Sequence, residues 1–404
     1  MGKYTNLENP LIDDKIDEIL NSLVNQIVGV FHPESIILSG SFGRGEGSVL
    51  YQNDNVNIIS DFEIGVISNS YYKRFLCRKI AQEINHDLDL DLTLNFHLPS
   101  RFTKNKTTNL SIRAQHLTID QYELRYSSKL LYGKDYLSKM RSYSSQDIPI
   151  WEGIRLIFNR MAESLEYFSF NKNESRKLLL KKWTYKTILA CSDALLISVN
   201  KYHFLYKVRV KNFMNKYANH FRGLFDDCVP EFPSLVIKAT EFKLKPSLSD
   251  NENLQELWFR TKTICDKTLR YLVKEDMGFD YTDYIDFQKK YLSHPNLQKK
   301  YFRGFIGFPL YQNLLCLAKI RRQLNVNIFL CLFSKISMVH LLYSMIALLY
   351  FGLERSGKVR KEYLTKAQEN LEPIIHLSSW RNSVIDRWTE IKDSVAALWN
   401  AVCN

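Results

Sequence analysis

The sequence predicts an α+β protein in which a mixed α and β domain, residues 1–148, is followed by an all-α helical bundle domain, residues 149–404. Three observations support this division. The chain has 404 residues, which is long for a single hydrophobic core. Alternation of apolar and polar residues, typical of half-buried strands, is confined to roughly the first 140 residues. After Pro149 the apolar residues recur at intervals of three and four, as in amphipathic helices.

The elements of the first domain follow from local patterns of apolar residues. An apolar face with helical spacing covers 11–30, and the buried run after it predicts a strand over 35–38. Turn-forming residues at 52–55 separate two apolar stretches and predict a hairpin over 50–59. The remaining expectations are a strand over 61–67, a helix over 71–84 and a strand over 88–96.

Helical spacing of apolar residues runs through the second domain, at 154–168, 188–196, 206–221 and 385–402. The longest apolar run, 336–351, is interrupted by His340. It is also shorter than the ~20 residues that a membrane span needs. We therefore expect a buried bundle helix in this run and no association with a membrane.

Composition favours a cytoplasmic protein with an anionic partner. Lys and Arg number 55 against 43 Asp and Glu, a formal net charge of +12, which favours nucleotides, nucleic acid or acidic surfaces without choosing among them. The seven Cys residues include no Cys-x-x-Cys pair and most have apolar neighbours, so reduced buried thiols are expected. No apolar signal-peptide core is seen near the N-terminus, and Asn6 breaks the myristoylation pattern.

Small and acidic residues at three predicted strands indicate a phosphate and metal site. Gly40-Ser41 ends a strand and opens a glycine-rich turn whose backbone N–H groups can face an anion. Asp61 and Glu63 lie two apart on one strand, so both carboxylates leave the same face. Asp89 and Asp91 repeat this spacing. Clustered carboxylates repel each other but become favourable around a divalent cation. Each feature alone is also typical of a surface loop or solvated strand, and their order favours the joint interpretation.

Three segments carry a resemblance to a known family. They are Gly40-Ser41-Phe42-Gly43-Arg44-Gly45, Ser60-Asp61-Phe62-Glu63-Ile64 and Leu90-Asp91-Leu92. In this order they resemble the DNA polymerase β-type nucleotidyltransferase superfamily, whose pattern is a Gly-Ser turn, an acidic pair one residue apart and a third acidic residue on a later strand. That superfamily includes antibiotic nucleotidyltransferases, CCA-adding enzymes, bacterial cyclic GMP–AMP synthase-like enzymes and minimal toxin–antitoxin-linked transferases. The resemblance covers about residues 35–95 and implies a polymerase β-like fold for the first domain.

The resemblance also implies roles for the matching residues. Gly40 and Ser41 would bind the β- and γ-phosphates of a nucleoside triphosphate, with ATP as the expected donor. Asp61 and Glu63 would bind Mg²⁺, or Mn²⁺ in its place. Asp91 would bind the catalytic metal and help to deprotonate the acceptor hydroxyl.

Two features depart from the family pattern. The gap between Ser41 and Asp61 is longer than is usual, because the hairpin over 50–59 lies within it. Asp89 competes with Asp91 for the third acidic role. Asp91 is preferred, because the predicted strand continues past it as in relatives.

Three cations are further candidates for binding the triphosphate. Arg44 lies within the glycine-rich turn, and Lys182 and Lys186 lie four apart on one predicted helix face. By resemblance to the family, a helical lysine reaches the triphosphate from the second domain. The alternative for each of the three is a solvated basic residue. Asp193 follows Lys186 by seven residues on the same face, and a buried Lys–Asp pair there would be structural.

The segment 201–222 is basic and contains no acidic residue. Its cations are Lys201, Lys207, Arg209, Lys211, Lys216 and Arg222. A nucleic-acid surface is one interpretation. However, the aromatic residues between the cations fall on the apolar helical stripe, so an ordinary solvated outer face is the preferred one.

The favoured function is a Mg²⁺-dependent nucleotidyltransferase that moves a nucleoside monophosphate to a hydroxyl or phosphate of a small-molecule acceptor and releases pyrophosphate. The alternative is an enzyme that modifies nucleic acid or makes oligonucleotides, such as a tRNA-modifying toxin or a nucleotide second-messenger synthase. A third hypothesis is a catalytically inactive nucleotide-binding protein, which the intact acidic set opposes. The sequence contains no Gly-Lys-Ser/Thr loop, dinucleotide fingerprint or zinc-hydrolase His pair that would indicate another phosphate chemistry.

Overall fold

A computed structural model describes residues 2–52, 55–70, 73–88, 90–102, 117–169, 174–247, 252–294, 338–375, 377 and 383–403. Within these residues the protein has a mixed α and β architecture, with a small sheet in its first part and helices throughout the rest. The elements of the first part are α1 (Pro10–Phe31), β1 (Ser35–Ser39), α2 (Gly40–Gly43), β2 (Val49–Gln52), β3 (Asn55–Ile58), β4 (Phe62–Ile67), α3 (Arg74–Leu88), β5 (Leu92–His97), α4 (Ile119–Ser127) and β6 (Lys129–Gly133).

Four strands form one sheet in the order β5-β4-β1-β6. Strand β1 is antiparallel to both β4 and β6, whereas β4 and β5 are parallel, with Phe62 opposite Leu92. Strands β2 and β3 form a separate antiparallel hairpin. The hairpin lies in the chain between β1 and β4, the two central strands of the sheet.

Helix α1 begins and ends at well-defined caps. The Asn9 side chain accepts a hydrogen bond from the backbone N–H of Leu11, and Pro10 occupies the first helical position, where its missing N–H has no cost. His32 ends the helix in a left-handed conformation, with φ of 41°. The apolar face of α1 packs with α3 against one face of the sheet, whose buried residues include Phe62 and Ile64 of β4.

The alternation of side chains along β4 decides where its acidic residues lie. Because Phe62 and Ile64 face α1 and α3, Glu63 points to the opposite face of the sheet. On that opposite face Ile37 and Ile67 pack against Leu124 of α4. The end of the sheet at which β4 begins lies next to the helical part of the chain, because Lys182 reaches the carbonyl oxygen of Ile59 there.

The helical part follows Pro149. Its helices are α5 (Ile150–Tyr167), α6 (Glu174–Ser198), α7 (Tyr206–Lys216), α8 (Arg222–Phe225), α9 (Phe232–Leu244), α10 (Leu254–Met277), α11 (Tyr284–Ser293), α12 (Met338–Gly352), α13 (Lys361–Leu371) and α14 (Val384–Cys403). A single extended core joins them, with Phe158, Trp258 and Trp388 among its fully buried side chains. In the part of the chain that the structure describes, no helix is long and apolar enough to cross a membrane.

Most predicted elements are confirmed, including α1, β1, the β2–β3 hairpin, α5 and α14. The run 336–351 is a buried helix from Met338 onward, and residues 336 and 337 lie outside the described residues. The predicted helix over 206–221 is interrupted, because a π-helical turn at Tyr217–Phe221 follows α7. Cys77, Cys191 and Cys265 are buried free thiols, as expected, whereas the free thiol of Cys228 is exposed.

The predicted start of strand β5 is wrong. The predicted strand over 88–96 begins only at Leu92, because α3 continues through Leu88 and thus past the predicted helix end at residue 84. Asp91 therefore precedes β5 instead of lying within a strand. The argument that Asp89 and Asp91 share a strand face does not apply, and Asp89 lies outside the described residues.

Candidate active site

The parallel pairing of β4 and β5 brings two of the predicted acids together. Asp61 and Asp91 are the residues immediately before these strands, and the register aligns them because Phe62 lies opposite Leu92. The backbone N–H of Phe62 donates a hydrogen bond of 2.7 Å to the carbonyl oxygen of Asp91. Asp91 is the most exposed of the predicted acids, whereas Asp61 is half-buried.

The third predicted acid, Glu63, lies beside the Gly-Ser turn. Glu63 of β4 pairs with Ser39 of β1, and Gly40 follows Ser39 directly in the chain. Gly40 has φ of +64°, and a Cβ atom at this position would collide with the carboxylate of Glu63. Only glycine fits both the backbone conformation and this close approach. Ser41 follows in α2 and is buried. The sheet thus brings Gly40, Ser41, Asp61, Glu63 and Asp91 to one end.

Lysines of two helices face this end of the sheet. Lys182 and Lys186 project from α6, and Lys182 Nζ donates a hydrogen bond of 3.2 Å to the carbonyl oxygen of Ile59, just before the acidic pair. Lys243, near the end of α9, donates hydrogen bonds from Nζ to Ser48 Oγ at 2.9 Å and Ser60 Oγ at 3.0 Å. These lysines line a pocket with Ser48, Ser60 and the apolar side chains of α6 and α9.

We call these six residues the open cluster: Asp61, Glu63, Asp91, Lys182, Lys186 and Lys243. Within the described part of the chain, its three carboxylates accept no hydrogen bond from another residue and form no ion pair, and its three ammonium groups have no carboxylate within ion-pair distance. Groups that are half-buried and unpaired lose hydration without compensation. The cluster is therefore poorly satisfied by the protein alone.

The pKa values reflect this arrangement. Burial raises the pKa of Glu63, and the charge of Asp61 adds to the effect, so that it reaches about 7. Burial acts in the same direction on Asp61, but Lys186, Lys182 and Lys243 outweigh it and lower the pKa of that carboxylate. Burial and then Asp61 raise the pKa of Asp91. Burial lowers the pKa of Lys186 to about 8. The carboxylates repel one another, and the lysines only partly offset this repulsion.

The donor set fits a divalent cation in its chemistry. Within the described residues no group of three or more His, Cys, Asp or Glu side chains is placed to hold a metal ion. Mg²⁺, however, usually takes only one or two protein carboxylates and completes its shell with water and substrate phosphates. Asp61 and Glu63 offer such a pair of unpaired oxygen ligands. They would hold the ion, and Asp91 lies beside them.

Arg44 does not belong to the open cluster. Its side chain is buried, forms an ion pair of 2.9 Å with Glu123 and lies 3.5 Å from Glu46. Its guanidinium also stacks over the ring of Tyr206. These contacts give Arg44 a structural role, which differs from its predicted role in binding the triphosphate.

Arg44 is part of a second group of buried charges, which we call the paired cluster: Arg44, Glu123, Arg209 and Asp193. Arg209 pairs with Asp193 at 2.7 Å and also with Glu123. Glu123 in addition accepts a hydrogen bond of 2.6 Å from Tyr202. The partner of Asp193 is thus Arg209 and not Lys186; seven residues along a helix place two side chains about 10 Å apart. Arg209 is likewise buried and is not on the outer face expected for the 201–222 cations.

The sequence patterns do not predict three residues of this pocket, which are Lys243, Ser48 and Ser60. Lys243 lies 182 residues after Asp61 in the chain, so no local motif could connect them. The available signal was a lysine between Phe242 and Leu244 at the end of an apolar helix. Comparison of the chain with protein-family models, with curated proteins and with solved structures finds no match.

Proposed function

We propose that this protein is a metal-dependent nucleotidyltransferase that moves a nucleoside monophosphate from a nucleoside triphosphate to an acceptor hydroxyl or phosphate, with a small molecule as the acceptor. The observation that carries the proposal is the open cluster, in which unpaired carboxylates at two strand ends lie next to unpaired lysines. A divalent cation would satisfy the carboxylates, and a phosphate chain would satisfy the lysines. A metal–triphosphate complex supplies both charges in one ligand.

Two lysines, one serine and one aspartate would bind the phosphates or accept the proton in this reaction. Lys182 and Lys186 would bind the phosphates from the helical side, and the Ser41 hydroxyl would bind them from the sheet side. Asp91, the most exposed carboxylate, would accept the proton of the acceptor hydroxyl, and its raised pKa suits a base. The acceptor oxygen forms a bond to the α-phosphorus, and the bond from the α-phosphorus to the bridging oxygen breaks, so that pyrophosphate leaves. Asp61 and Glu63 would hold Mg²⁺, which would supply positive charge against the phosphates.

The test is to follow the label from each α-³²P nucleoside triphosphate in the presence of Mg²⁺ and a cell extract. We expect the wild-type protein to label a small molecule with one or more of the nucleotides. Asp61→Asn should reduce the rate by at least about 10³-fold, because it removes a ligand of the metal ion that would bind the reacting phosphate. Asp14→Asn, which changes an exposed acid on α1, is the matched control and should keep full activity.

The same assay separates the roles of the acids. Asp91→Asn should lower the single-turnover rate by about 10²–10⁴-fold, the range of a general base, with nucleotide affinity largely kept. Asp89→Asn should cost much less. Label in RNA or in a cyclic or linear oligonucleotide would favour the alternative function. Transfer that persists in Asp61→Asn, or no transfer by the wild type with any of the four nucleotides, would overturn the proposal.

A further inference from the structure

The β2–β3 hairpin contributes two serines to the pocket beside the open cluster. Ser48 precedes β2 and Ser60 follows β3, and both are buried at the base of the hairpin. Ser60 Oγ accepts a hydrogen bond of 2.9 Å from the backbone N–H of Ser48. The hairpin that lengthens the segment between Ser41 and Asp61 therefore brings two hydroxyl groups together at one point.

Both hydroxyls hold Lys243. Ser48 Oγ donates a hydrogen bond of 2.5 Å to the carbonyl oxygen of Lys243, and Lys243 Nζ donates back to the same Oγ and to Ser60 Oγ. The lysine is thus fixed at both its backbone and its terminal nitrogen. An ammonium group has three donors, and within the described residues only these two serines accept from it. One donor remains for a ligand in the pocket.

The charges around Lys243 call for an anion. Lys182 and Lys186 of α6 line the same pocket as Lys243, and the charges of Arg44 and Asp61 also act on it. Burial and then the three cations lower the pKa of Lys243 well below its usual value, and Asp61 alone opposes them. Lys182, Lys186 and Lys243 converge on the pocket without an ion pair, which is unfavourable, whereas a phosphate among them would form charge-assisted hydrogen bonds.

The position of Lys243 indicates which phosphate it would bind. Lys243 lines the pocket together with Lys182, Lys186, Ser48 and Ser60, and none of the three acids lines it. Ser60, which accepts a hydrogen bond from Lys243 Nζ, is the residue before Asp61. The pocket therefore adjoins the acids without including them. A phosphate chain whose reacting end lies near Asp61 and Asp91 extends toward Lys243 with its other end.

We propose that Lys243, held by Ser48 and Ser60, binds the terminal phosphate of the donor and makes the site selective for nucleoside triphosphates over diphosphates. This inference rests on the proposed function, because it takes Asp61 and Asp91 as the reacting end. It assigns the hairpin a role, which is to supply the two hydroxyls that orient the lysine.

The experiment compares ATP with ADP by isothermal titration calorimetry in Mg²⁺, with no acceptor present. The wild type should bind ATP at least about tenfold more tightly than ADP, since one charge-assisted hydrogen bond accounts for a factor of this size. Lys243→Met should bring the ratio of the two affinities close to one while ADP affinity stays unchanged. Lys245→Met, which changes an exposed lysine two residues later, is the matched control and should keep the wild-type ratio.

Ser60→Ala provides a milder second variant, which keeps the lysine but removes one of its two anchors and should lower the ratio part of the way. An unchanged ratio in Lys243→Met, or wild-type protein that does not distinguish ATP from ADP, overturns the inference. Nucleotide transfer observed together with that result would leave the proposed function standing. Conversely, the expected ratios of ATP to ADP affinity, found without transfer from any nucleotide, would support the phosphate site and contradict the proposed function.

Discussion

The paired cluster and the open cluster are both groups of charged side chains where the sheet meets the helices, but they differ in whether those side chains form ion pairs. In the paired cluster, Arg209 contacts Asp193 and Glu123, and Arg44 contacts Glu123. In the open cluster, among the residues that the structure describes, no acid and base form such a pair. Buried charges without partners cost stability, so the difference favours the open cluster as the proposed ligand site.

Two glutamates express this difference in their pKa values. Burial alone would raise the pKa of both. For Glu123 the charges of Arg44 and Arg209 outweigh burial and lower the pKa to about 2. For Glu63 the charge of Asp61 adds to the effect of burial, Arg44 only partly opposes them, and the pKa is about 7. The same type of side chain is thus stabilised as an anion in one cluster and destabilised in the other.

The largest effect is expected when the paired cluster is broken. Arg209→Met should lower the free energy of unfolding by about 3–5 kcal/mol, because it leaves Asp193 and Glu123 buried with too few partners. Lys186→Met should cost no more than about 1 kcal/mol in the absence of ligand, because that lysine has no carboxylate partner and loses only the contact of its Nζ with the ring of Trp183, 4.1 Å away. Guanidinium denaturation followed by circular dichroism in EDTA measures both, with Lys211→Met on the exposed face of α7 as control. Equal losses in Arg209→Met and Lys186→Met would contradict the comparison.

The position of Arg209 also illustrates what sequence patterns could and could not provide. Tyr206, Arg209 and Phe213 are spaced by three and four residues, so the arginine lies on the apolar stripe of α7. This spacing indicates that Arg209 is buried, whereas the general rule that cations are solvated predicts the opposite. The partners of Arg209, by contrast, come from α4 and α6, and no local pattern connects these helices.

Strand β5 shows a second limit. Leucines and phenylalanine alternate with polar residues from 88 to 96, which predicts a strand. Ile80, Ile84 and Leu88 also continue the apolar face of α3 at intervals of four. Two periodicities therefore overlap at Leu88, and the helix prevails there. The acids Asp61 and Asp91 could still be placed together, because the prediction needed only two neighbouring strands and not their first residues.

A smaller effect is expected from the repulsion inside the open cluster. The folded pKa of Glu63, about 7, lies above its ordinary value of 4.5, so the carboxyl contributes full stability below pH 4.5 and loses that contribution as the pH rises through 7. Glu63→Gln cannot ionise and should escape the loss. In EDTA the variant should match the wild type near pH 4.5 and exceed it by about 1–3 kcal/mol at pH 8.

Denaturation curves at the two pH values test this prediction, and Mg²⁺ added at pH 8 should narrow the difference by binding the wild-type carboxylates. Asp14→Asn serves again as the control, because its acid is exposed on α1. A difference between Glu63→Gln and the wild type that is the same at both pH values would contradict a buried, repelled carboxyl at this position.

The smallest effect is expected for charges that belong to neither cluster. Lys207 and Lys211 are exposed and lie four residues apart on α7. Solvated surface cations contribute little to stability, so the double variant Lys207→Gln, Lys211→Gln should melt within about 2 °C of the wild type. Transfer to a small molecule should be unchanged.

The double variant also tests the alternative partner. If these lysines are only a solvated face, bulk RNA should bind the wild type weakly and be lost between about 50 and 200 mM salt, as counterion release requires. The variant should then differ from the wild type only at the lowest salt. Filter binding with total RNA across this salt range provides the measurement. A submicromolar complex with one RNA species that survives 200 mM salt and depends on Lys207 and Lys211 would make α7 a functional surface. Unpaired charge would then mark a binding site on the exposed face as well as in the open cluster.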